Sequence, residues 1–391
     1  MKSLKVFGEH DEATIEQMNR ALNDPRAVRG VLCADGHLGY SVPIGGVVAY
    51  REAISPSAVG YDIACGNMAV RLDLNEEDIM PYLPELLDEI QGTISFGVGR
   101  VNNERVDSKI FDLPFWDFPL FRDLKELAIN QLGTVGSGNH FVDIFSDWNK
   151  NIWVGVHFGS RGLGHKLATF FVKAAGGKDG MDVAPAVVSV NSPLGDDYLF
   201  AMMVAGAYAY EGREWVTKKV AGILGGNIAD TVHNHHNYAW KEEHDGEVLW
   251  VIRKGSTPAN PGQRSFIGGS MGDNSVIVHG ISSKHSEEAL RSTVHGSGRV
   301  MSRSKAAGKV RYKRGKRVRI SEGEISREMM MDWLDNRGIL LRGAGTDESP
   351  HCYRRLEDVL TEHEGTIEVE TVLRPLGVVM AGADEVDPYK D

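Results

Sequence analysis

The chain has 391 residues, 42 % of them hydrophobic and 25 % charged, with a net charge of −11 and three cysteines. No apolar run is long enough to span a bilayer, no signal peptide is expected, and Cys33, Cys65 and Cys352 are too few and too far apart for a disulfide framework. That excludes a membrane protein and a small secreted scaffold, leaves a cytoplasmic one, and allows a polyanion partner only where positive charge is local.

Taken in order, residues 11–24 read as a short amphipathic helix closed by Asn23-Asp24-Pro25. A strand follows over Val31–His37, then a polar loop ending in Pro43-Ile-Gly-Gly and a second strand over Val47–Tyr50. Asn75 caps a helix through roughly Ile90, with Glu76, Glu77 and Asp78 placed for its dipole. Residues 122–132 read as helix, 141–145 and 153–157 as strands, and 165–175 as helix. The spacing of Leu199, Met203, Ala207 and Tyr210 predicts a long helix over 197–223 with that stripe in the core. Beyond a His-rich turn at 233–238, strand-like runs at 248–253 and 275–279 alternate with glycine-rich loops. A helix over 325–336 and two strand pieces within 367–380 complete the chain. Helices and strands mix without a βαβ rhythm, a repeat or a linker, which predicts an α+β fold in one composite domain.

Residues 60–67, Gly-Tyr-Asp-Ile-Ala-Cys-Gly-Asn, carry the first chemistry. Asp62 and Cys65 lie three apart between glycines that permit a tight turn, so an acid and a thiol can aim at one point. That is half a transition-metal site, and His140, His157 and His236 stand at strand-to-loop junctions that could complete it. Ligand softness points to zinc, and five ligands with a bridging thiolate suit two ions, which can hold phosphoryl oxygens on both sides of a displacement.

Gly296-Ser-Gly298 frees backbone N–H groups for phosphate, and Arg299 and Arg303 add charge. His295 at its edge is a nucleophile, a general base or a further ligand. Gly268-Gly-Ser-Met-Gly272, with Ser275 behind it, is a second phosphate-cradle composition. Between Arg303 and Arg319 there are nine Lys or Arg and no acid. That strip alternates like a hairpin turning at Gly315 and is either a solvated face or a contact for a nucleic-acid backbone.

These pieces together resemble the RtcB family of RNA-splicing ligases. The resemblance rests on Asp35-Gly-His37, Gly60-Tyr-Asp-Ile-Ala-Cys-Gly66, Gly136-Ser-Gly-Asn-His-Phe141 and His157-Phe-Gly-Ser-Arg-Gly-Leu-Gly164. It continues through His236-Asn237, Arg253-Lys-Gly255, Gly269-Ser-Met-Gly272, His295-Gly-Ser-Gly-Arg299, Arg342-Gly-Ala-Gly345 and Asp347-Glu-Ser-Pro350 with Tyr353, in order from about residue 31 to 380. It implies one domain over 1–391 with a tail at 383–391, and ligation of RNA 3′-phosphate or 2′,3′-cyclic-phosphate ends to 5′-hydroxyl ends. Two Mn²⁺ would be held, one by Asp62, Cys65 and His140, the other by Cys65, His157 and His236. His295 would take GMP from GTP, with Asp35 orienting its ring and Arg299 meeting charge. Asn139, Phe141, Asp143, His236, Asn237, Gly269, Ser270, Met271, Ser275, Gly296, Ser297, Gly298, Tyr353 and Met380 would line the nucleotide. A monomer, with an archease-type activator as a partner, is the family's expectation.

Three departures mark a divergent branch. Asp143 stands where the family has Glu at the guanine edge, Met380 where it has a lysine at the base, and Ser297 where it has alanine. They open the alternative of the same ligase chemistry with altered nucleotide choice. A dimetal phosphoesterase acting on cyclic-phosphate ends without ligation is the other alternative.

Overall fold

The computed structural model describes residues 2–178, 180–313 and 316–385. Among them, one sheet of eight strands carries most of the site. Its path runs Arg264–Ile267, Ser275–Gly280, Ile367–Gly382, Phe141–Ser146, Asn151–Phe158, Gly66–Asn75 and Ile228–His235, with Leu340–Ala344 alongside Ile367–Gly382. Asn151–Phe158 is buried along almost its whole length, as a central strand rich in Ile and Val should be. The two ends of the path nearly meet. Asn67 Nδ2 donates to Phe266 O at 2.9 Å and Phe266 N donates to Asn234 Oδ1 at 3.0 Å, so amide side chains bridge the gap that backbone pairing leaves.

The antiparallel register decides where the chemistry falls. Gly66 pairs with both Phe158 and His235, and Phe141 pairs with His157. Cys65, His140, His157 and His236 therefore all emerge at one edge, at the start or end of four neighbouring strands. A second sheet, ordered Ser3–Val6, Ala27–His37, Ile44–Tyr50, Glu247–Lys254 and Asn237–His244, faces that edge. The chain passes from one sheet to the other at His236. Beyond Lys254 the short strands Ser256–Pro258 and Ser292–Val294 pair, which delivers His295 to the same place.

The helix Pro193–Leu224 spans roughly 48 Å at 1.5 Å per residue and covers the large sheet. Ser192 caps its start by accepting from Gly195 N at 3.1 Å, and Gly225 at φ 79° ends it. Its buried stripe is Tyr198, Ala201, Ala205, Tyr208 and Gly212, not the predicted one: Met203, Ala207 and Tyr210 are exposed. The helix is apolar nearly all round, so periodicity alone does not choose the face.

Other expectations change for local reasons. The helix begun at Asn75 is broken into Glu76–Ile79, a 3₁₀ turn Met80–Tyr82 and Leu83–Thr93, because Pro81 and Pro84 each start a new segment. The stretch 122–132 splits into Pro119–Arg122 and Lys125–Gln131. The His-rich turn is two strands meeting at His236. Ile367–Gly382 is one long strand whose register slips near Pro375, not two pieces. The basic strip pairs as Val310–Lys313 with Lys316–Arg319, while its turn at Gly315, its cationic face and tail residues 386–391 lie outside the described residues. No helix among the described residues is long and apolar enough to cross a membrane.

Arg253 locks the second sheet to the strand that carries His295. It is fully buried, donates to both Glu242 oxygens at 2.6 and 3.1 Å, and reaches Ser292 Oγ at 2.8 Å. Burial pushes the Glu242 carboxyl up, but Arg253 and His244 outweigh it and hold it at about 2, against 4.5 in an unfolded chain. The folded value is depressed, so this contribution is present above about pH 4.5 and lost as the pH falls toward 2. Glu242→Gln should therefore cost about 3 kcal/mol at pH 7 by urea unfolding. Its gap to the wild type should close below pH 4, and a gap independent of pH would refute the assignment.

Candidate active site

The Asp62/Cys65 turn is held from below by its neighbours. Gly60 takes φ 94°, and Ala64 is driven to φ 60°, an uncommon value for a residue with a Cβ. Gly66 sits so close to the adjacent strand that a Cβ there would meet Asn234 O at 2.2 Å. Cys65 O accepts from His236 N at 2.8 Å, which ties the thiol's own residue to the junction between the sheets.

Around Cys65 the donor atoms converge. Its Sγ lies 3.3 Å from His157 Nε2 and 3.7 Å from His140 Nε2, and Asp62 Oδ2 lies 3.3 Å from His140 Nε2. Ligands at 2.0–2.3 Å from one tetrahedral ion stand about 3.5 Å apart, so these spacings are those of a metal site. The rings are turned for it. His140 Nδ1 and His157 Nδ1 face the carbonyls of Val135 and Asn139 at 2.9 and 3.1 Å. Assigning them as donors leaves each Nε2 with its lone pair toward the sulfur. Burial and the neighbouring Asp62 raise the Cys65 thiol, and burial pulls His157 and His236 well below the usual imidazole range. Burial also pushes the Asp62 carboxyl up, but His140 and Arg161 outweigh it and it falls to about 2. His236 stands next to this group, its ring centroid 5.1 Å from that of His157, and its buried Nδ1 has no hydrogen-bond partner among the described residues.

His295 continues the row, its ring 4.9 Å from His236. Asp35, fully buried, takes three hydrogen bonds through one oxygen: from His295 Nδ1 at 2.6 Å, His295 N at 3.0 Å and Gly296 N at 3.4 Å. Burial works against its charge, yet His295 holds the Asp35 carboxyl below its ordinary range. With Nδ1 donating to Asp35, His295 Nε2 keeps its lone pair and faces the cavity. An imidazole so oriented is equipped for nucleophilic or proton-transfer chemistry.

The cavity in front of these groups measures about 1190 Å³. Asp62, Cys65, Asn139, His140, Phe141, Asp143, His157, His236, Asn237, Gly269, Ser270, Met271, the segment Gly296–Gly298, Arg299, Tyr353 and Met380 all line it. Asp35 and Ser275 are not on its wall. Ser275 Oγ instead accepts from Gly269 N at 2.9 Å and props the glycine loop from behind. Ser297 Oγ is buried without a hydrogen-bond partner among the described residues. Arg299 and Arg303 are held in place: Arg299 donates to Tyr353 Oη and the Asp347 carbonyl, both at 2.8 Å, and pairs with Glu348 at 3.4 Å, and Arg303 pairs with Asp347 at 3.0 Å and with Glu348.

At the cavity's apolar end, Asp143 lies opposite Val378 and Phe141 opposite Met380 on paired strands. Asp143 Oδ1 is buried with no hydrogen-bond partner among the described residues, and burial alone drives this carboxyl well above the ordinary range. Met380 is 5 % exposed beside it.

Sequence reasoning missed Arg161 and Lys254 as wall residues, although both sit inside glycine-flanked motifs it had singled out. It also missed Arg213, whose only mark is to be a cation on the buried stripe of a helix. Arg213 is fully buried and donates to Ala64 O at 3.1 Å, to Phe158 O at 2.5 Å and to His233 Nε2 at 2.7 Å, with His235 Nδ1 at 2.9 Å. Those four residues adjoin or closely flank Cys65, His157 and His236.

A family model described as tRNA-splicing ligase RtcB matches residues 17–113 and 120–381. The RNA-splicing ligase RtcB of Escherichia coli (strain K12) is 32 % identical over 374 residues, covering 87 % of each chain. The tRNA-splicing ligases RtcB of Archaeoglobus fulgidus and Thermococcus kodakarensis are 32 % and 30 % identical, covering 90 % and 94 % of this chain and 87 % and 91 % of their own.

Arg213→Met should weaken divalent-metal binding by about 10–100-fold in an isothermal titration of the folded protein, as loss of outer-shell support does. Unchanged affinity would show that the clamp has no bearing on the ligands.

Proposed function

The chain belongs to the RtcB family, and on that premise we propose that it is an RNA ligase. It joins a 3′-phosphate or 2′,3′-cyclic-phosphate end to a 5′-hydroxyl end through a nucleotidylated His295. The observation that carries the reading is the Asp35–His295 pair at 2.6 Å, set beside a Cys/His cluster with metal-like spacing.

The steps balance on this chain's own groups. His295 Nε2 attacks the α-phosphorus of GTP; an N–P bond forms, the α–β bridging P–O bond breaks, and pyrophosphate leaves with the electron pair. Asp35 holds Nδ1–H throughout, so the ring cannot turn and its positive charge has a partner as it forms. An oxygen of the RNA 3′-phosphate then takes the guanylate and returns the lone pair to His295. The 5′-hydroxyl oxygen attacks the RNA phosphorus and releases its proton to water, the P–O bond to GMP breaks with its electron pair on GMP, and a phosphodiester remains. A 2′,3′-cyclic end enters this sequence only after water has opened it to the 3′-phosphate. Ser297 offers phosphoryl oxygens a buried hydroxyl that has no hydrogen-bond partner among the described residues. Ser270 and Asn139 stand on the nucleotide side, and Tyr353, fixed by Arg299, closes it.

Asp62, Cys65 and His140 would hold one metal ion, and Cys65, His157 and His236 a second. Manganese is the family's choice, where softness alone favours zinc. Two such ions supply charge stabilisation for the phosphoryl oxygens. Three unpaired, buried cysteines agree with a reducing cytoplasm. A single-domain monomer, served by an archease-type activator, completes the reading.

One observation favours a second reading within the same chemistry, altered base choice. Burial drives the Asp143 carboxyl upward, toward the form that presents a donor and an acceptor, whereas an ionised carboxylate beside a lysine would present acceptors only. With Mn²⁺ and each labelled NTP in turn, wild type should label on His295 and His295→Ala should not. Asp35→Asn should lower the rate by at least 10²-fold. Labelling of His295→Ala at the wild-type level would sink the nucleophile assignment. Opening of a cyclic-phosphate RNA without nucleotide or joining would favour the phosphoesterase instead.

Asp143→Asn should leave stability at pH 8 equal to or above wild type by thermal melting. A buried acid raised above its unfolded value loses stability as the pH climbs through the folded value, and an amide escapes that loss. A large loss of stability at pH 8 would reveal a partner for the carboxyl.

A further inference from the structure

The cavity is larger than one nucleotide site needs. Its 1190 Å³ exceeds the roughly 300–1,000 Å³ of small-molecule pockets, and the chemistry above uses only part of its wall. The base end, with Phe141 and Met380, stands on one hydrophobic core. Tyr61, also on the wall, packs against a different core. A row of imidazoles, His295 to His236 to His157 to His140, lines the same wall, with ring-to-ring steps of 4.9, 5.1 and 5.2 Å.

The stretch of wall at Tyr61 is aromatic and cationic together. Tyr40 and Tyr61 meet edge to face at 6.4 Å, and Tyr61 and His165 lie 5.5 Å apart at 33°. Tyr40 is 37 % exposed and Leu38 is 39 % exposed, so large apolar side chains stand in water at the mouth instead of in the core. The helix Arg161–Ala174 puts His165 and exposed Lys166 on the same stretch, one turn from its start. Stackable rings beside a positive edge are the means by which proteins hold single-stranded nucleic acid without reading sequence. Tyr61 is also the residue before Asp62, so whatever stacks there is delivered directly to the metal cluster.

We infer that Tyr40, Tyr61 and His165 form a stacking platform for the unpaired bases at an RNA end being joined, with Lys166 toward its backbone. The inference rests on the ligase reading above and adds the site for the second substrate.

The test measures fluorescence anisotropy with labelled single-stranded decamers of RNA, one ending in a 3′-phosphate and one beginning with a 5′-hydroxyl. Tyr40→Ala and Tyr61→Ala should each raise the Kd for at least one decamer by about five- to a hundredfold, and Tyr40→Phe should bind as wild type does. A probe lacking one terminal base should lose the same factor, and Tyr40→Ala should weaken that probe no further. Binding of both alanine variants within twofold of wild type on both decamers overturns the platform. Should Tyr61→Ala fail to melt as a folded protein, exposed Tyr40 decides the matter alone. Nucleotide labelling of His295, which needs no RNA, is read in parallel. Labelling with ring-independent RNA binding removes the platform and keeps the ligase. Ring-dependent binding without labelling keeps the platform and removes the nucleotide step.

Discussion

One guanidinium organises the centre of this molecule. Arg213 is fully buried, and its hydrogen-bond partners among the described residues are carbonyls and imidazoles, with no carboxylate. Burial pulls it down to about 10, still charged at neutral pH. A cation placed there is costly unless every N–H is used. Each bond it makes fixes the backbone or a ring next to Cys65, His157 or His236. The long helix is thereby fastened to three strand ends at once, and the Cys65 thiol lies in the field of a fixed positive charge.

Charge elsewhere is arranged in the same economical way. The chain carries −11 overall, yet binding a polyanion depends on local cations. Arg299 and Arg303 face the cavity already paired with Asp347 and Glu348. They are therefore held rigid rather than free to follow a ligand, which suits the meeting of charge at a set position better than the capture of substrate.

The candidate site residues were legible because they come in short polar motifs broken by glycine. The turn at Asp62 and Cys65, the imidazole closing a strand at His157 and the loop after His295 could all be read that way. The α+β class followed from the mixed rhythm of helices and strands. What escaped depends on tertiary context. Gly66–Asn75 reads weakly as a strand because its pairing on both sides supplies the burial. The segment around His233 and His235 reads as a turn because nothing local shows that Arg213 and the stacked Tyr210 and Tyr238 will hold those rings. Asp143 and Met380 are far apart in the chain, and only the pairing of Phe141–Ser146 with Ile367–Gly382 makes them neighbours. The helix face at Met203 and Tyr210 was misassigned because an apolar helix offers more than one acceptable stripe.

The bond between Asp35 and His295 joins residues 260 apart in the chain, while Cys65 meets partners 75 and 92 positions away. Contacts of such long range form late, after the loops between them have closed. During synthesis the polypeptide emerges from its N-terminus, so Asp35 and the whole Cys/His cluster are made well before His295 exists. On the ligase reading proposed above, a nascent chain holds the Cys/His donors before it holds the group that accepts the nucleotide, and that group arrives only with the last quarter of the chain.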